Sequence, residues 1–167
     1  MKKILSIILF VLVSFTMKGQ YDAALGLKVN HYKAAINYKL FLSDSTNTLL
    51  DLELGFQETG LEFIGLYNWQ VPFQKASNLY WYYGVGANLG HWKSGIVTQV
   101  SIGIDAQIGI EYVPQEIPFA FSFDYTPNFS FANIHDEVSD RNSWGSGFWT
   151  RNWTIGIKYV FGKVYSD

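Results

Sequence analysis

Eight charged residues, Lys28, Lys39, Asp51, Glu53, Asp105, Glu111, Asp124 and Lys158, are the groups in this 167-residue chain whose types could do chemistry together. Paired carboxylates in a cleft can act as general acid and base. Sealed inside a narrow barrel, the same side chains have a plainer use as a salt-bridged plug, because an unpaired charge there is costly. The plug is the expectation, and a proton or ion path through it is the alternative.

Other chemistries have weaker support. His91 with Ser94 and His135 with Ser139 are the His and Ser neighbours that nucleophilic catalysis would need, but neither spacing puts both side chains on one strand face beside an acid. His135, Asp136, Glu137 and Asp140 could offer oxygen ligands to a divalent cation, although a solvated loop explains them as well. No catalytic residue, metal or cofactor is therefore assigned. Tyr80, Trp81, Tyr82, Tyr83, Trp92, Trp149 and Trp153 fit aromatic girdles at membrane interfaces. Trp144 lies in a Gly- and Ser-rich stretch and is the candidate surface-loop contact.

Strands must position these groups. From Val100 to Tyr112 apolar residues, Val100, Ile102, Ile104, Ala106, Ile108, Ile110 and Tyr112, alternate with Ser101, Gly103, Asp105, Gln107, Gly109 and Glu111. Period two means a β-strand. Its length is about twice the usual 5 to 6 residues and suits a tilted strand crossing a bilayer.

Eight such segments can be drawn. They are Asp22 to Val29, Tyr32 to Leu42, Thr48 to Gln57, Leu61 to Trp69, Leu79 to Gly90, Val100 to Tyr112, Phe119 to Thr126 and Phe148 to Phe161. Folding the second onto the third about Asp44 to Thr46 pairs Lys39 with Asp51 inside and Tyr38 with Leu52 outside. Agreement of an ionic and an apolar pair under one register supports it. The fourth segment is irregular, since Ile64 and Leu66 fall on the inner face, and a bulge near Gly65 would repair it. The last should show Trp149, Arg151, Trp153, Ile155, Ile157, Tyr159 and Phe161 on one face. Pro127 to Gly147, rich in Asn, Asp and Ser, is expected to be a long loop.

Ahead of the strands, Met1 to Lys3 and an uncharged run from Ile4 to Met17 have the form of a cleavable signal peptide, residues 1–19, followed by one domain, 20–167. Removing it takes three lysines and leaves nine basic against fourteen acidic residues, a formal charge of −5. Nucleic acid is thus an unfavourable partner. The chain has no cysteine, so neither disulfides nor thiolate metal sites are available.

The expected fold is all-β: an eight-stranded antiparallel up-and-down transmembrane β-barrel. Both ends would be periplasmic, with the links at 43–47, 70–78 and 114–118, and the 127–147 loop would lie outside the cell.

The sequence resembles the small eight-stranded outer-membrane β-barrel proteins of the OmpA transmembrane-domain type. The carriers are the leader, Gly-Ile-Asp-Ala-Gln-Ile-Gly-Ile-Glu-Tyr at 103–112, Ile-Pro-Phe-Ala-Phe-Ser-Phe-Asp-Tyr-Thr-Pro at 117–127 and Ile-Gly-Ile-Lys-Tyr-Val-Phe at 155–161. The resemblance implies a Gram-negative type outer membrane and recognition of the strand ending at Phe161 by the barrel-assembly machinery. Six residues follow that aromatic, where many family members stop. Such families share no single activity.

A non-enzymatic barrel with a plugged polar lumen is the expectation, in contact with outer-membrane lipid and with a possible extracellular partner at 127–147. The alternatives are a lipid-modifying barrel enzyme with His91 or His135 as base, a narrow pore for small solutes, and a soluble ligand-binding barrel, whose interior should instead be apolar.

Overall fold

The computed structural model describes residues 21–43, 47–74, 76–136, 139, 141–150 and 152–162. The proposed leader, Glu137, Asp140 and Arg151 lie outside the described residues. Within them the chain has no helix and ten strands. These are β1 (Ala23–Val29), β2 (Ala34–Ser43), β3 (Thr48–Gln57), β4 (Gly60–Phe73), β5 (Ala76–Ser94), β6 (Val97–Tyr112), β7 (Phe119–Tyr125), β8 (Asn128–Asp136), β9 (Arg141–Trp149) and β10 (Trp153–Phe161).

Eight of them close an antiparallel barrel. Each of β1 to β6 pairs with the next, β7 pairs with β10, and β10 pairs back onto β1. Closure satisfies both edges of every one of those strands along the common barrel. The register between β2 and β3 places Lys39 opposite Asp51 and Tyr38 opposite Leu52.

Period-two alternation decides what faces where. Leu25, Leu27, Ile36, Phe63, Val85, Ile102, Ile104, Ile108, Ile155 and Ile157 are exposed on the outer surface, whereas Lys28, Asn37, Lys39, Asp51, Asn68, Asp105, Gln107, Glu111, Asp124 and Lys158 are buried within. The fold is inside out relative to a soluble barrel. A small apolar cluster of Tyr21, Ala24, Phe41, Leu49, Val113, Ala120 and Val160 packs together where the described chain enters and leaves the barrel. We call this the terminal end, and the opposite one the hairpin end.

Several strand boundaries differ from expectation. No bulge interrupts β4 at Gly65, whose pairing runs unbroken to Leu52 on β3 and Ala87 on β5. Ile64 and Leu66 simply point inward and are buried, and Leu66 faces Gly86, which leaves the needed room. The 70–78 link is mostly strand as well, because the β4–β5 ladder continues to the Phe73–Ala76 pair.

The expected 127–147 loop is a hairpin. β8 continues the line of β7 along β6 after a break at Thr126 and Pro127, and β9 folds back on β8. Ser, Asn and Gly in this stretch disfavour a strand locally, but the long β6 supplies a ladder for β8 to join. The last strand is also not continuous. Tyr125 stands opposite Trp153 while Asn128 stands opposite Trp149, so three steps on one side match four on the other. The one-residue difference reverses which face each side chain takes. Trp149 therefore sits on the inner face of β9 and Phe148 on the outer, contrary to the single face expected for 149–161.

Candidate functional site

All eight charged residues singled out from the sequence are buried inside the barrel. Each arrives there by strand parity: Lys28 from β1, Lys39 from β2, Asp51 and Glu53 from β3, Asp105 and Glu111 from β6, Asp124 from β7 and Lys158 from β10. An eight-stranded barrel is just wide enough for such side chains to meet across it.

Seven of them form two ionic clusters. Toward the terminal end, Glu111 accepts from Lys39 at 2.9 Å, Lys158 at 3.0 Å and the Tyr21 hydroxyl at 2.6 Å. Gln70 Nε2 adds a longer contact of 3.3 Å. The Lys39 ammonium also stands 3.8 Å from the centroid of the Tyr82 ring, and Lys158 donates to Ser122 Oγ at 2.7 Å. Farther up, Lys28 reaches Asp124 at 2.7 Å, Asp51 at 3.4 Å and Glu53 at 3.5 Å. Asn37 completes Asp51, and Gln107 bridges Asp124 at 2.7 Å and Asn68 at 2.8 Å.

Two expectations about partners need correction. Lys39 does not bond the Asp51 that faces it across the ladder; it crosses the lumen to Glu111, leaving Asp51 to Lys28 and Asn37. Asp105 accepts from Asn88 Nδ2 at 2.8 Å and, among the described residues, takes no lysine. Side chains in a closed barrel choose partners by reach across the interior, which pairing along the wall does not specify.

Lys33 and Glu62 were missed. Lys33, in the β1–β2 turn, lies 2.6 Å from Glu53 and 3.0 Å from Glu62. Burial works to lower its pKa, but the two carboxylates outweigh this and push it up to about 12. Extending the inner parity of Asn37 and Lys39 backward would have found Lys33. Keeping the parity of Ile64 and Leu66 without a bulge would have found Glu62, Asn68 and Gln70.

Glycines open the space for the longer groups. A Cβ on Gly109 would come 2.6 Å from the Tyr82 ring, and one on Gly55 would come 2.6 Å from the Lys33 stem. In total six buried carboxylates share the described interior with four buried lysines. Such a set can fill and rigidify a lumen, with each of the four lysines engaged by a carboxylate.

The remaining candidates lie elsewhere. His91 is exposed on β5, facing Val100 of β6, and Ser94 has the opposite parity on the same strand. His135 Nδ1 contacts Asn142 Oδ1 at 3.2 Å across the β8–β9 hairpin. Among the described residues no three His, Cys, Asp or Glu side chains converge as metal ligands. Trp144 is 77 % exposed, on β9 rather than in a loop. Neither protein-family models, nor curated proteins, nor solved structures give a match to this chain.

Proposed function

We propose that this chain is a non-enzymatic integral β-barrel of a Gram-negative type outer membrane, of the OmpA transmembrane-domain type, with a structural or surface-interaction role. The observation that carries the reading is the inverted polarity: aliphatic and aromatic side chains ring the outside, and the paired charges fill the inside. In water such a belt would be a very large exposed apolar patch, and in a bilayer it is the solvated surface. The paired interior supports a plugged lumen rather than a pore. Export by the leader at 1–19 and assembly through the strand ending at Phe161, whose ring faces outward, belong to the same reading. The β8–β9 hairpin, through its tip and inner face, is the part offered to an extracellular partner.

Extraction tests it. The mature protein should sediment with membranes, need detergent for release, and change gel mobility on heating. Recovery in buffer without detergent would refute the membrane assignment, and single-channel conductance well above background would refute the plug.

A further inference from the structure

We infer that the outer face of the β8–β9 hairpin lies against the lipid headgroup layer at the hairpin end of the barrel, and not in free solvent. The inference rests on the membrane reading above and concerns a segment that composition alone marks as a solvated loop.

The ladders carry the barrel's outer surface onto the hairpin row by row. Ile104 of β6 faces Phe129, which faces Phe148. One step higher, Ile102 leads to Phe131 and Ser146, and then Val100 leads to Asn133 and Trp144. The next row is Thr98, His135 and Asn142. Polarity therefore rises along this face from aliphatic and Phe, through Trp with Asn, to fully polar, which is the order found across a membrane interface. The other face of β9 carries Arg141, Ser143, Gly145, Gly147 and Trp149, with no side chain bulkier than Ser between the two ends, and a Cβ on Gly145 would meet nothing within 4 Å. Level with Trp144 and Ser146, the apolar surface is thus on the outer face alone.

A second constraint fixes the depth. Among the described residues β9 is the last strand of the sheet and pairs with β8 alone, so its other edge has no described strand beside it. An open edge is excluded from hydrocarbon, where unpaired backbone groups cost several kcal/mol each. The hairpin thus stands above the acyl chains, while Phe148 and Trp144, 66 % and 77 % exposed, disfavour bulk water. The headgroup layer meets both conditions.

The chain has no cysteine, so single-cysteine variants can be labelled cleanly. Ser146→Cys reports the outer face, Ser143→Cys the inner face and Ile104→Cys the belt. Each full-length variant, folded in phosphatidylcholine vesicles and carrying an environment-sensitive fluorophore, is quenched in turn by headgroup nitroxide lipid, acyl-chain nitroxide lipid and aqueous iodide. The expected result is loss of fluorescence at Ser146 mainly by headgroup nitroxide, at Ser143 mainly by iodide and at Ile104 mainly by acyl-chain nitroxide. Equal iodide quenching at Ser146 and Ser143 would overturn the inference while leaving the membrane reading intact. So would an outer face shielded from both iodide and lipid, which would mean that protein covers it. Iodide quenching at Ile104 would instead remove the membrane reading, and the inference with it. Phe148→Cys gives the same readout for the outer face if Ser146→Cys does not fold.

Discussion

Lys39 and Glu111 are joined at 2.9 Å across the interior, from β2 and β6, which stand four strands apart on opposite walls of an eight-stranded ring. A carboxylate bound at once by Lys39, Lys158 and Tyr21 is a long-range tie among β2, β6, β10 and a residue two positions ahead of β1. It forms only once the ring closes.

Removing that tie should be costly. Glu111→Ala leaves two buried ammonium groups without their carboxylate, which typically destabilises by about 3 to 5 kcal/mol. Urea unfolding of the refolded barrel in lipid measures it. A loss no larger than an ordinary surface substitution would mean that water enters the lumen freely and the network is not sealed.

The outer surface gives an independent prediction. Ile157 is 45 % exposed midway along β10, so in an aqueous protein a lysine there would be nearly neutral. Near the middle of a bilayer a lysine on the lipid face costs about 2 to 4 kcal/mol. Ile157→Lys should therefore lower stability in vesicles by that order, and equal stability of the two proteins would count against a lipid-facing Ile157.

Lys33 supplies a pH dependence with a definite sign. Its folded pKa is raised from 10.5 to about 12 by Glu53 and Glu62 against the opposing effect of burial. Its contribution is complete below the unfolded value of 10.5 and fades as pH climbs through about 12. Unfolding midpoints of the wild type and Lys33→Met should differ by a constant amount from neutral pH to about 10 and converge above that. A gap that persists unchanged at pH 12 would show that the Lys33 charge is not what separates them.

Much of this arrangement is legible in the chain, and the reasons differ by element. The pairing of Lys39 with Asp51 follows from two adjacent strands and a short turn, all local information, and the structure has that register. The choice of Glu111 as the actual partner of Lys39 depends on ring closure, which no local pattern encodes. Inner parity identified all eight interior charges singled out, and the outward parity of Leu61 and Phe63 already implies an inward Glu62. The β8–β9 hairpin was hidden for another reason: its outer aromatics are separated by Ser, Asn and Gly, whose weak strand preference is overruled by the ladder on β6.

The extra residue between β9 and β10 has a consequence for how the chain can vary. Below it, odd-numbered side chains of this strand look outward; above it, even-numbered ones do. The two stretches are thus written in different phases, and the junction at 150–152 uncouples them. Losing one residue there would turn β9 over, bringing Trp149 out and Phe148 in, while Ile155, Ile157 and Tyr159 kept their places. The surface the hairpin presents can therefore be exchanged by a single insertion or deletion without rewriting the wall beneath it.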